Sequence, residues 1–412
     1  MVNCGRRVCF ARGTQALSRL HYLNLEFTLH NLLFSCSLAF NQFPQSPLDG
    51  VYWRLFRAAR PGMKGLKQDG ACEQEFSIWR GSVMPKRIVG IDVGGTKVAG
   101  GLVTLKGHLV KSLIVPTHAE RGFRTSYSQI VHLIERLIKL AGGKENIAGV
   151  GVCAPGPLNP KTGVIINPPN LPGWRNIQLA HLLESHFHLP AKVENDANAA
   201  GLAEVLFGAA VGYRDVFYVT VSTGIGTGVI INKKIYHGKN GVAGEGGHVS
   251  IDFRSPYRCG CGTLGCIEAL AAGPGMARRA RVALEQEHSR PSLLRELSSG
   301  DLRKITPLMI QEAARRGDAL AKSVVDDTGF YLGVWLGGMI SLFDPEAILI
   351  GGGVAQIGKA LFDRIRQTIP HYTINRRFVE KLPILPAKLQ KNVGVYGAAS
   401  VFLPAGEEAE AA

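Results

Sequence analysis

Two glycine-rich segments, one in each half of the chain, stand between runs that read as β-strands. The first, Asp92-Val-Gly-Gly-Thr-Lys97, follows Arg87 to Val93 and leads into Lys97 to Thr104. The second, Ser222-Thr-Gly-Ile-Gly-Thr-Gly228, follows Val216 to Val221 and leads into Thr227 to Ile231. A strand, a tight turn and a second strand form an antiparallel hairpin. Glycine at such a turn also lets backbone N–H groups come close to a phosphate that a side chain would hold off. Thr96 adds a hydroxyl donor, and Asp92 is a carboxylate of the kind that holds Mg2+ through water. Either segment alone reads equally as a plain hairpin turn, and the Gly-x-x-x-x-Gly-Lys spacing of a Walker A loop is absent. Occurring twice, each on a strand–turn–strand unit, they point to two α/β halves whose loops face each other across a cleft.

The surrounding pattern fits a layered α/β chain. Lys106-Gly107 makes a turn into a third strand, Leu109 to Pro116. Ser126 to Leu140 reads as an amphipathic helix with Ile130, Leu133, Ile134 and Leu137 on one face, and Ile147 to Cys153 as the next strand. Thr306-Pro307 supplies a cap and first turn for a helix. Ala319 to Phe343 reads as a long helix stopped by Asp344-Pro345. Ala347 to Ile350 is a buried strand ending in Gly351-Gly352-Gly353, Gly394 to Leu403 a last helix, and the Glu/Ala tail after Pro404 a disordered end. Residues 1–83 differ. Pro44, Pro47, Gly50, Pro61 and Gly62 interrupt any period, and Met84-Pro-Lys-Arg reads as a natural start directly before the first strand. We expect residues 1–83 to be a poorly ordered extension, or an upstream segment that is not translated. Residues 84–201 plus 394–404 are expected to form a small lobe and residues 202–393 a large one.

The formal net charge of +15 raises the question of nucleic acid or an anionic membrane. Lys and Arg are scattered, with no long basic run, so handling of anionic small substrates is expected and nucleic-acid binding is not. The stretch Phe27 to Phe40 is too short to span a bilayer and is broken by His30 and Asn31. Arg6, Arg7, Arg12 and Arg19 precede any acid, but no clean apolar core or small-residue cleavage site of a targeting segment follows. Cys4, Cys9, Cys36 and Cys72 are scattered and Cys153 stands alone, unlike the dense spacing of a secreted disulfide scaffold. A reducing, cytoplasmic setting is the expectation, with Cys153 a small buried apolar residue.

Three further segments carry chemistry. In Val193-Glu-Asn-Asp-Ala-Asn-Ala199 a short strand gives way to a helix. Asp196 there is either a helix-capping carboxylate or a general base that takes a proton from an attacking hydroxyl, as phosphoryl transfer requires. Gly244-Glu-Gly-Gly-His248 precedes Cys259-Gly-Cys-Gly-Thr-Leu-Gly-Cys266. Cys259, Cys261, Cys266 and His248 make the Cys3His donor set of a closed, tetrahedral structural zinc site, with glycines permitting a tight knuckle. One ring nitrogen of His248 on the metal leaves the other free to face a ligand. Glu245 and Glu268 flank the same spot and suit vicinal sugar hydroxyls, since carboxylates accept bidentate hydrogen bonds. Loss of the metal is expected to misplace His248 without touching the phosphate loops. Ile350-Gly-Gly-Gly-Val354 offers a flat surface for a base and ribose, or a plain β-to-α turn.

Two phosphate loops across a cleft resemble the actin-like, ribonuclease-H-like kinase fold. Taken in order, GIDVGGTK, APGP, NLPGW, ENDANAA, STGIGTG, AGEGGH, CGCGTLGC and IGGG make residues 87 to 403 similar to the ROK family of sugar kinases and repressors. The resemblance implies a two-lobed α/β ATPase fold with a zinc knuckle, closing over a sugar with ATP in the cleft. It makes Asp196 the catalytic base, and Asn195, Glu245, His248 and Glu268 contacts to sugar hydroxyls, with Gly156 and Asn170 bordering the sugar. It assigns Asp92, Gly94, Gly95, Thr96, Lys97, Thr223, Gly224, Gly226 and Thr227 to the phosphates of ATP with Mg2+, and Gly352 and Gly353 to the adenosine side. Gly246-Gly247 departs from the bulkier residue that many members carry before the second glycine, which would loosen the sugar pocket slightly. The implied activity is phosphorylation of the 6-hydroxyl of glucose, then of an N-acetylhexosamine or another hexose. A sugar-responsive regulator and a zinc-stabilised binding module rank below these, because the extension carries breakers where the two helices of a helix-turn-helix would pack. Family members often form dimers, so a homodimer is expected.

Overall fold

The computed structural model describes residues 87–403; the expectations for residues 1–83, for a start at Met84 and for the tail after Pro404 lie outside them. The first sheet grows outward from its central strand β1 (Arg87–Val93), whose Ile88, Val89 and Ile91 are fully buried. β2 (Lys97–Thr104) folds back antiparallel on it with Val93 opposite Val98, and β3 (Leu109–Pro116) extends the hairpin. Helix α1 (Phe123–Leu140) buries Ile130, Leu133, Ile134 and Leu137 against this sheet, the face expected from their spacing. It begins three residues before the expected Ser126, because Phe123 is anchored edge-on against Trp174, with ring centroids 5.1 Å apart. That contact across the fold has no local signature. β4 (Ile147–Ala154) lies parallel to β1 and places Cys153 opposite Asp92.

Three two-residue strands, β5 (Leu158–Asn159), β6 (Val164–Ile165) and β7 (Ile177–Gln178), form a small separate sheet. Strands this short show no period and were not expected. Helix α2 (Leu179–Phe187) then leads to β8 (Ala191–Asn195), parallel to β4, and the chain enters α3 (Asp196–Phe207) without a break.

The second sheet repeats the first. β9 (Val216–Val221) is central, β10 (Ile225–Ile231) returns antiparallel to it and β11 (Lys234–Ile235) extends the hairpin. Helices α4 (Ile267–Ala271), α5 (Gly273–Gln286), α6 (Leu293–Leu297), α7 (Pro307–Arg315) and α8 (Ala319–Phe343) follow. Thr306 caps α7 by accepting the Met309 N–H, and α8 stops at left-handed Asp344. β12 (Ala347–Gly351) is parallel to β9, α9 (Lys359–Thr368) and α10 (Arg376–Val379) cross over, and β13 (Ile384–Pro386) is parallel to β12. The orders β3-β2-β1-β4-β8 and β11-β10-β9-β12-β13 therefore match strand for strand, in direction as well as position.

The last helix, α11 (Val393–Ser400), ends before the expected Leu403 and returns to the first sheet. A side chain at Gly151 would strike the carbonyl of Ala398, and one at Gly90 that of Val395, so these two glycines let the helix lie directly on the sheet. Helix α3 packs against α11, where a Cβ on Gly397 would lie 2.8 Å from the Ala199 backbone, and on its other side against β9 and β10. Covered on both sides, α3 buries Ala197 through Val205 without an amphipathic stripe. Its first residues are thereby set between the two sheets. Among the described residues no helix is long and apolar enough to cross a membrane.

Candidate functional site

The site is built around the junction of β8 and α3. The Asn195 side-chain oxygen accepts the N–H groups of Ala197 (2.9 Å) and Asn198 (3.2 Å), so Asn195 is the N-cap of α3. Asp196 is the first helical residue and accepts only the N–H of its neighbour Ala197 (2.8 Å). The capping alternative for Asp196 is thus taken by Asn195. Asp196 is exposed to solvent, with the atoms of the β8–α3 junction gathered about its carboxyl. That crowding pushes its carboxyl up to about 6, and the charges of Asp92 and Glu245 push the same way against the Ala197 hydrogen bond.

Asp92 ends its strand half-buried, and desolvation raises its carboxyl above the ordinary range, opposed by the Cys153 thiol at 3.5 Å and by Lys97. Gly394 of α11 presses on it so closely that any side chain there would overlap the carboxylate. In the loop that follows, the Gly94 N–H closes the turn on the Lys97 carbonyl (3.0 Å), and its own carbonyl accepts the Thr117 hydroxyl (2.6 Å). Thr96 and Lys97 are exposed. A Cβ on Gly95 would stand 2.7 Å from the Asn170 carbonyl, so the first loop and the Asn170 segment touch.

The second loop divides its residues between two tasks. Ser222 and Thr223 are exposed and line a cavity of about 720 Å³ together with Gly353, the start of α5 at Gly273 and Pro274, Arg281 and Gln311. Left-handed Gly352 lies against the end of β9, where a side chain would strike the Val221 carbonyl. Thr227, by contrast, is buried. Its hydroxyl donates to the Gly244 carbonyl and accepts the Gly246 N–H (2.9 Å). It braces the segment bearing Glu245 and is not brought to the cleft. Gly226 is likewise a packing glycine, since a Cβ there would be 2.9 Å from that of Ala197.

Gly156, Asn195 and Glu245 come together. A Cβ on Gly156 would lie 3.4 Å from the Asn195 amide nitrogen and 3.6 Å from a Glu245 oxygen. His248 faces two ways. Its Nε2 is 3.9 Å from Glu245 and its Nδ1 is 3.5 Å from Cys259 Sγ. The donor atoms of His248, Cys259, Cys261 and Cys266 all lie within 4.8 Å of one another, and Cys261 Sγ is 3.7 Å from Cys266 Sγ. Zinc bond lengths put tetrahedral sulfur–sulfur edges at about 3.8 Å and nitrogen–sulfur edges at about 3.6 Å, so these two edges match a zinc site and the donor set is compatible with one. Glu268 corrects one expectation. One oxygen accepts the Ile225 N–H of the second glycine loop (2.9 Å), and the other lies 3.3 Å from Cys259 Sγ. The knuckle is therefore tied to a phosphate loop, not separate from it.

Two five-stranded sheets of one topology, with two glycine loops, a His/Cys3 knuckle and the carboxylates Asp92, Asp196, Glu245 and Glu268, invite comparison with known proteins. The family model described as ROK family matches residues 88–404. The chain belongs to the ROK family. It has the family's actin-like α/β fold. It is similar to a glucokinase of Halalkalibacterium halodurans, at 34% identity over 75% of this chain and 92% of that protein. The crystal structure of a ROK family glucokinase from Streptomyces griseus in complex with glucose and AMPPNP is 33% identical, with a TM-score of 0.65 over 76% of this chain and 98% of that one. A xylose repressor of Bacillus spizizenii is 30% identical over 76% of this chain and 76% of that protein.

Sequence reasoning missed Thr117, Glu194, Asn198 and His237, all of which hold site residues in place. Glu194 and Asn198 lie inside the ENDANAA motif, but nothing local shows which of its polar residues turn inward. Thr117 and His237 act only through contacts distant in sequence.

Proposed function

We propose that this chain is an ATP-dependent hexose kinase that transfers the γ-phosphoryl group to the 6-hydroxyl of glucose. The observation that carries the reading is Asp196: a carboxyl raised to about 6, free of capping duty, near enough to Asp92 of the first loop to feel its charge, with Gly226 of the second loop packed on its neighbour Ala197. A base poised near the working pH is what proton removal from a hydroxyl needs. Sugar hydroxyls would be held by Asn195, Glu245, His248 and Glu268, with Gly156 and Asn170 at the border of the pocket. Asp196 would take the proton of the 6-hydroxyl as that oxygen attacks phosphorus and the bond to ADP breaks. The loops at Gly94–Lys97 and Thr223–Gly224 would frame the phosphates, and Gly352 and Gly353 the adenosine side.

Asp92, raised by burial, fits a Mg2+ ion carried with ATP, whose charge would offset that of the phosphates. A zinc ion on His248 and the three thiols would supply local folding energy and fix the His248 ring. The small lobe would be residues 84–201 with 394–404, the large lobe 202–393, and the assembly a homodimer. The glucokinase relatives support the sugar. The test is ADP release across a panel of hexoses; release with glucose well above the level without sugar is expected, and no sugar-dependent release would end the reading. The xylose repressor relative favours a second reading, a sugar-responsive regulator, for which sugar-dependent operator binding without ADP release is the signature.

A further inference from the structure

Next to Asp196 lies a buried polar cluster that the reaction as drawn does not use. Glu194 is almost fully buried at the end of β8. One of its oxygens accepts the Asn195 N–H (2.9 Å) and the Asn198 side-chain amide (3.3 Å); the other meets His237 Nε2 at 2.6 Å. A carboxylate can only accept, so this ring nitrogen carries the proton and donates it to the hydrogen bond. His237 stands on the chain leaving β11, at the head of the segment that leads to Glu245. Its carbonyl accepts the Ala243 N–H (3.1 Å), closing residues 237–243 into a loop. The other end of that loop is held by Thr227 through Gly244 and Gly246.

The loop has two anchors in different parts of the molecule. Thr227 ties it to the second sheet, and His237 ties it to the first through Glu194. Residues 241–245 then form one wall of a narrow recess of about 10 Å³, whose other wall includes Gly156, Asn195 and Asn198. The Asn198 side-chain oxygen is buried without a hydrogen-bond partner among the described residues and faces Gly244, 3.1 Å from where a Cβ there would sit. This orphaned acceptor looks onto the same wall, so the wall's position decides whether a hydroxyl or a water can satisfy it.

We propose that His237, held by Glu194, is a positioning residue that sets the sugar-facing wall at residues 241–245 relative to the start of α3. This rests on the kinase reading above for its consequence, but not for its geometry. Without the His237 bond the wall loses its tie to the first sheet while the phosphate loops keep theirs. Glu194 would also be left as a buried carboxylate with one oxygen unpaired. The effect is therefore on sugar binding and not on the donor.

The experiment pairs kinetics with amide hydrogen exchange of the ligand-free chain. His237→Leu should raise the KM for glucose by about tenfold or more, with kcat at saturating glucose and KM for ATP within about twofold of wild type. His237→Asn, polar but too short to reach Glu194, should behave like the Leu variant and guards against a folding artefact. His237→Gln, which keeps an N–H donor at similar reach, should restore the glucose KM. Exchange should rise within residues 238–245 in the Leu and Asn variants and stay unchanged in the first phosphate loop. An unchanged glucose KM with unchanged exchange would overturn the proposal, and so would an equal loss in kcat and both KM values. If the wild type phosphorylates no sugar, the kinase reading falls, and exchange alone still decides the positioning role.

Discussion

Asn195 and Asp196 are adjacent and chemically alike, yet the fold gives them different work. Asn195 caps α3 with two hydrogen bonds, and Asp196 is left with one and a crowded carboxyl. Asp196→Asn should therefore keep the helix and the fold while lowering kcat by about a hundredfold or more in the hexose assay. The same carboxyl predicts a pH dependence. Its ordinary value is 3.8 and its value in the fold about 6, so a fall in pH through 6 protonates it and removes the base. The kcat/KM for glucose should fall by about tenfold per unit below that point. A raised acid is also a group whose charge the folded state disfavours, and at neutral pH that charge costs stability. Asp196→Asn should then show a melting temperature equal to wild type or higher, whereas a structural carboxylate would show a loss. Gly246 is a correction at this scale. Its missing side chain would point at Thr227, 2.9 Å away, and at Trp335, so it bears on packing behind the loop and not on the width of the sugar pocket.

The elements differ in how far they reveal themselves. Strands β1 to β4 and β9, and helix α8, are continuous apolar or periodic runs bounded by turn residues, and they were legible to within a residue. Strands β5 to β7 have two residues each and carry no pattern. The knuckle was legible as a donor set, but its link to the second loop was not, because Glu268 reaches Ile225 only in the folded chain. That link changes what metal loss should do. Cys261→Ser should lower bound zinc from the one per chain expected and weaken sugar binding. Since Glu268 loses its support beside Cys259, it should also weaken nucleotide binding. Metal analysis with separate titrations of glucose and an ATP analogue would check this; loss of zinc with nucleotide affinity intact would show that the Glu268 link carries no load.

On the scale of the molecule, two sheets of identical order, each with a glycine loop after its central strand, lie on either side of α3. The family match begins at residue 88, at the first strand expected from Arg87 and just after the natural start read at Met84. A chain beginning at Met84 should accordingly keep the melting temperature and turnover of the full chain; a large loss of either would make residues 1–83 part of the working protein. The doubled strand–loop–strand pattern, the long helix and the Cys3His donors were all present in the sequence, because strand, helix, turn and ligand spacing are written over a few residues at a time. Which of two neighbouring residues caps and which stays free, that Thr227 turns away from the cleft, and that Glu194 meets His237, were decided only by tertiary structure. The last two depend on segments far apart in the chain being packed at hydrogen-bond distance, and the first on how β8 delivers the chain into α3; no local preference encodes a partner that arrives only when the sheets come together.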